Sequence, residues 1–145
     1  MKRSARLSVA LHALVHLIDR SDAVTSTVLA HCLMTNPVVV RRVMGELRQA
    51  GIVSSAKGHD GGWRLTRPPA EVSLHDVNMA LGETVLLRAQ SDPGDTQCTI
   101  VRTIDMVMSG FLADAEALLA ERLKAISLAD LARQRAHHHS LTHGA

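Results

Sequence analysis

Residues 35–65 read TNPVVVRRVMGELRQAGIVSSAKGHDGGWRL. The stretch opens on Asn36, a good helix N-cap, and Pro37, which loses nothing at the first helical position because its missing N–H would be unpaired there anyway. Val40, Val43 and Leu47 follow at i, i+3 and i+7, the spacing of a helix face turned toward a core. Gly51 supplies the left-handed stop. IVSS and WRLT then read as two short strands around AKGHDGG, a glycine-bearing hairpin loop. The helix carries Arg41 and Arg42 near its start, and Glu46 is its single acidic residue. A cationic helix, a tight turn and a ribbon are thus packed side by side.

Upstream, Leu7, Ala10, Leu11, Leu14, Leu17 and Ile18 recur at helical spacing and predict a first helix over roughly residues 4–19. The basic start and apolar run resemble a signal peptide, but His12 and His16 interrupt the run, and Asp19 and Arg20 follow it. Thr25 is placed to cap a short second helix, STVLAHCLM, and the turn MTNP separates it from the third. Downstream, Ser73 caps a fourth helix, LHDVNMALGE. RAQSDPGDTQ is the most polar, turn-rich stretch. A long helical pattern runs from about Cys98 to Lys124, and Ser127 opens a last short helix. These elements predict a mainly α chain with a small β-hairpin wing. Its winged helix-turn-helix occupies 1–82, an exposed linker 83–97, dimerisation helices 98–135 and a disordered His-rich tail 136–145.

Composition narrows the function. The 145 residues hold no Tyr, one Trp and one Phe, which argues against binding single strands by base stacking. Residues 1–70 hold ten Lys/Arg against four Asp/Glu, and residues 71–145 hold six against ten. A basic working half and an acidic supporting half point to nucleic acid as partner. Cys32 and Cys98 are too few for a disulfide framework and fit a reducing, cytoplasmic setting. No segment is long enough to span a membrane. No nucleophile–base pair or glycine-rich motif suggests an enzyme, so no catalytic residue is assigned.

Three helices and a hairpin, in that order, form a winged helix-turn-helix, whose third helix enters the major groove by its N-terminal end. Asn36, Pro37, Val38, Val39, Arg41 and Arg42 are the candidate contacts on that helix. Arginine suits guanine and phosphate alike, and the valines suit thymine methyls. On the hairpin the candidates are Lys57, Gly58 and Arg64, placed to follow a phosphate backbone or enter a minor groove. The alternative is a winged-helix module that binds protein without specific DNA recognition.

These residues resemble the Rrf-two family of bacterial transcription regulators, the IscR, NsrR and CymR group. The phrase TNPVVVRR is shared with its YwnA-like branch, and Gly51–Trp63 matches the family's G-(L/I)-V-x-S-x-(R/K)-G-x-x-G-G-(Y/W) marker. The resemblance implies a winged-helix homodimer that binds a palindromic operator in double-stranded DNA; a repressor is the expected role. It implies that Lys57 takes the place of the wing arginine that enters the minor groove. It places Arg41 where iron–sulfur members read bases with an acidic residue, so a different operator is expected.

Many members hold a [2Fe-2S] cluster through three cysteines before the long helix. Here that region offers only Cys98, so no cofactor and no metal are expected. Cys98 remains the candidate redox sensor, at a helix start that favours an anion, with a small ligand as the other possible signal. Cys32, between Leu29 and Leu33, is expected in the core. His12 and His16, four apart, are expected as exposed polar positions rather than metal ligands. The stripe Val101, Ile104, Met108, Phe111, Leu112, Ala115, Leu119 and Leu123, extended by Ile126, is too long for a small core to cover and is the expected dimer interface.

Overall fold

The computed structural model describes residues 2–59, 61–82 and 98–142. Among these are six α-helices and one two-stranded sheet: α1 (Lys2–Ile18), α2 (Ser26–Cys32), α3 (Pro37–Gln49), α4 (Leu74–Ala80), α5 (Thr99–Lys124) and α6 (Leu128–Thr142). Strands β1 (Val53–Ala56) and β2 (Gly62–Leu65) pair antiparallel, Val53 facing Leu65 and Ala56 facing Gly62. The chain folds as a winged helix with two further helices appended.

The expected caps set the helix boundaries. The Thr25 hydroxyl accepts from the Val28 N–H at 3.2 Å, and the Asn36 side chain from the Val38 N–H at 2.8 Å. Each satisfies a donor that the helix itself leaves unpaired. Ser73 and Asp76 form a reciprocal capping box at α4, and Ser127 and Asp130 repeat it at α6. The Ser73 N–H, bonded to the Asp76 carboxylate, is the main cause holding that group below its ordinary 3.8; the Ser127 N–H does the same for Asp130.

Helices α2, α3 and α4 are each followed by a left-handed residue, which is glycine in two of the three. Gly51 follows α3 at φ +74° and donates to Arg48 O, while Ile52 N–H reaches back to Leu47 O. The same pair of bonds closes α2, from Met34 to His31 O and from Thr35 to Ala30 O. There the left-handed position is Met34, at φ +51° and 94% exposed.

The core is the winged helix. Ala10, Ala13, Leu14 and Leu17 of α1 meet Val40, Val43, Met44 and Leu47 of α3, with Leu29, Ile52, Val53, Val72 and Val77 closing round them. The predicted stripe of α3 is therefore the buried one. Beyond residue 82 the one fully buried apolar residue is Leu128, among those described. It is drawn in by a short bridge, Ser73 against Ser127, in which Leu74 N–H donates to Ile126 O and Leu128 N–H to Val72 O, both at 2.9 Å.

Several expectations differ from the structure. Cys32 is exposed, not in the core: the short α2 buries only Leu29 and Ala30, and Cys32 falls on the other side of the helix. The last helix is not short. It continues through positions 136–142, assigned above to a disordered tail, because no Gly or Pro interrupts the run before Gly144. Pro69–Glu71 forms a 3-10 turn within the expected connector. The linker, 83–97, lies outside the described residues apart from its boundary with Cys98.

Helix α6 returns along α1, tied by an ion pair between Arg135 and Asp19. His12 and His16 stack on α1 with ring centroids 5.0 Å apart. Burial holds the His16 pKa below 6.5, helped by the neighbouring His12, Arg135 and Arg20.

Candidate nucleic-acid interface

Helix α3 buries one face, and the opposite face is free. Val38, Arg42, Gly45 and Gln49 lie at i, i+4, i+7 and i+11, along the outward line of the helix. Arg41 and Arg48, seven residues apart, flank that line on the wing side. On the other flank Glu46 is ion-paired with Arg6 of α1, which neutralises the only carboxylate of α3.

The wing is fixed to the helices by several independent contacts. Trp63 is 9% exposed and its indole N–H donates to the Ser26 hydroxyl at 2.8 Å. Val24 and Trp63 exchange both backbone bonds, at 3.1 and 2.8 Å. Gly62 makes that docking possible: at φ +145°, any Cβ there would lie 2.7 Å from Val24 backbone atoms. The Arg48 guanidinium donates to the Ser55 hydroxyl at 3.1 Å, linking α3 directly to β1.

Between α2, α3 and the wing lies an open groove of about 560 Å³, lined by Arg41, Arg48 and Lys57 with the hydroxyl residues Thr25, Thr27 and Ser55. No carboxylate is among its described lining residues. Three cations with hydroxyl donors and, among the described lining residues, no acid make a surface suited to phosphodiester oxygens.

The sequence-derived candidates are therefore distributed as follows. Arg41, Lys57 and Gly58 come together at the groove. Arg42 and Val38 are exposed on the outward line, and Val39 is exposed beside it. Asn36 spends its side-chain oxygen on the cap, and Pro37 starts the helix. Arg64 donates to the Ser21 carbonyl at 3.1 Å and does not line the groove; it ties the wing to the loop after α1. Sequence reading missed Arg48 and Ser55. The signal was available: Arg48 repeats Arg41 after two helical turns.

The long helix α5 has no buried residue, although it is 26 residues long. Ile104, Met108 and Phe111 are exposed as expected, Phe111 by 66%, and Val101 and Ala115 are also exposed. Leu112 and Leu119 are half-buried, and Leu123 packs partly on the winged-helix core. The exposed line is extended by Ile100, Val107 and Leu118. Cys98 precedes the first turn of α5 and is exposed.

A winged helix with this cationic face belongs to a recognisable class, the helix-turn-helix regulators. Residues 3–134 match the model of the Rrf2 family, described as an iron-dependent transcriptional regulator, and the chain belongs to that family. It is 30% identical over 128 residues to a Bacillus subtilis protein named as an HTH-type transcriptional regulator, YwnA, covering 88% of this chain and 95% of that one. A crystal structure titled as a DNA-binding protein superposes with a TM-score of 0.71 at 28% identity, covering 87% of this chain and 97% of the other. A regulator from Lactobacillus plantarum shares the fold, with a TM-score of 0.75 at 24% identity over 94% and 93% of the two chains.

The iron in the family's description finds no cysteine-ligated site here. A [2Fe-2S] cluster takes four ligands, whereas this chain has two cysteines, one on α2 and one at the head of α5. Among the described residues no three His, Cys, Asp or Glu side chains are grouped to hold a metal ion. None of the helices, over the described residues, is long and apolar enough to cross a membrane.

Proposed function

We propose that the chain is a cytoplasmic, homodimeric repressor that reads a palindromic operator in double-stranded DNA. The observation that carries this reading is the continuous cationic surface formed by α3, the groove and the wing, with Glu46 neutralised internally. Helix α3 enters the major groove, bringing Arg41 and Arg42 to base edges. A backbone strand follows the groove past Arg48, and Lys57 reaches the adjacent minor groove. Two copies join along α5, whose exposed apolar residues nothing else in the described chain covers. The twofold axis would then match a palindrome.

Cys98 is the sensor in this reading. Its exposure at the head of α5 puts oxidation or alkylation where the dimer helix begins. Cys32 is exposed too, so operator affinity with and without diamide must be compared for wild type, Cys98→Ser and Cys32→Ser. Oxidant sensitivity should vanish only in Cys98→Ser. Sensitivity lost in Cys32→Ser instead moves the sensor to α2, and equal affinity throughout removes thiol sensing in favour of a small ligand.

The operator is obtained by selecting bound duplexes from a random pool. On it, Lys57→Ala should weaken binding to all sequences and reduce the slope of log affinity against log salt by about one. Arg41→Ala should cost roughly 1–3 kcal/mol and relax one base position. If both variants bind like wild type, α3 and the wing are not the DNA surface. Selection that enriches no sequence favours a protein-binding module.

A further inference from the structure

Gly45 stands in the interior of α3, where glycine is among the poorest helix formers. The usual reasons for a glycine are absent. Its φ is not in the left-handed region, and a Cβ built on it meets nothing within 4 Å. No neighbour in the fold requires the missing methyl. Gly110 of α5, the other glycine inside a described helix, is likewise free of neighbours, on a helix that buries none of its residues in the chain.

Its position gives the reason. Gly45 lies on the outward line of α3, one turn after Arg42 and one turn before Gln49. Helical side chains lean toward the N-terminus, so Gln49 leans back over the space that Gly45 leaves open. Arginine and glutamine are the side chains that pair bidentately with guanine and adenine. A bare notch between them lets a base-pair edge come against the helix backbone.

We infer that Gly45 is a specificity-determining position: it lets α3 sit deep enough in the major groove for Gln49, as well as Arg42, to read bases. The inference rests on α3 being the DNA-reading helix. A methyl at position 45 would hold the groove wall away by about the length of one carbon–carbon bond. Gln49, near the C-terminal end of α3, would lose its reach first, because the helix enters by its N-terminal end.

The test sets stability against binding in the same variant. Gly45→Ala should raise the melting temperature by about 3–5 °C, because alanine is the better helix former. The same variant should bind the selected operator roughly tenfold or more weakly. Gln49→Ala should relax one operator position, and Gly45→Ala should relax the same position. A stabilised Gly45→Ala with wild-type affinity and wild-type base preference overturns the inference. Arg42→Ala separates this from the underlying reading. If Arg42→Ala loses affinity while Gly45→Ala and Gln49→Ala do not, the DNA-reading helix stands and the notch falls. If all three bind like wild type, α3 does not read DNA at all.

Discussion

Helices α3 and α5 are both amphipathic, yet they are completed in different ways. The 13 residues of α3 bury Val40, Val43, Met44 and Leu47 inside the chain. The 26 residues of α5 bury none. The apolar face of α3 is satisfied by α1, α2, the wing and α4, so its polar face is free to work. The apolar face of α5 is left open over most of its length. Burial of apolar surface is the main favourable term in folding. The difference therefore separates a region closed by its own contacts from one whose stability, in the proposed dimer, depends on the partner that covers it.

The largest expected effect breaks that dependence. Phe111→Asp with Leu118→Asp places two charges on the most open line of α5. Sedimentation should show monomers, and operator affinity should fall about 100-fold or more as the two half-sites lose their linkage. Circular dichroism should show the winged helix intact. Leu47→Ala, in the buried face of α3, should instead cost about 2–5 kcal/mol at any protein concentration. Wild-type protein that remains monomeric at micromolar concentration would remove the contrast.

A smaller effect tests the joint between the two regions. Asp76 and Asp130 cap adjoining helix starts, and both carboxyls are held below their ordinary 3.8. The unfolded chain therefore takes up protons first as pH falls. Their contribution is fully present above about pH 4 and is lost as pH drops through the depressed folded values. Asp76→Asn should lower the urea midpoint at pH 7 and match wild type at acid pH. A difference that persists unchanged below pH 3 would show that the carboxylate's charge plays no part. Ser73→Ala should cost about 1 kcal/mol at neutral pH.

The smallest effect concerns a point of strain within the self-sufficient region. Gly51 ends α3 and Gly82 follows α4, both at positive φ, but Met34 ends α2. Left-handed backbone costs an ordinary residue about 1 kcal/mol, and glycine's greater freedom in the unfolded chain offsets part of any gain. Met34→Gly should stabilise by about 0.5 kcal/mol in urea unfolding and leave operator affinity unchanged. A loss of affinity would mean that the exposed methionine itself touches DNA.

What the sequence made legible was local. Thr25, Asn36, Ser73 and Ser127 announced four helix starts because a cap needs one short polar side chain at a known offset. Gly51 and the wing glycines announced turns for an equally local reason. Cys32 was misread because a helix as short as α2 has no periodicity long enough to define its buried side. The extent of α6 was missed because a histidine run carries little signal either way. The Arg48–Ser55 bond and the Val24–Trp63 pairing join residues far apart in sequence or on different elements, and only the folded geometry brings them together. Gly45 was passed over as one more residue of a helical run, and its meaning required knowing that the space beside it is empty.

The bridge between Ser73 and Ser127 gives α5 the mechanics of a lever. Backbone bonds from both sides of that bridge pin the chain where α5 ends, and Leu128 plugs the core beside it. From that fulcrum the helix extends for about 39 Å at 1.5 Å per residue. Cys98 sits at the tip of the long arm. A displacement of about 3 Å there would correspond to a rotation of only about 4° at the fulcrum. Were Cys98 the sensor, an excursion at the tip would reach α4, on which α5 packs, as a much smaller rotation.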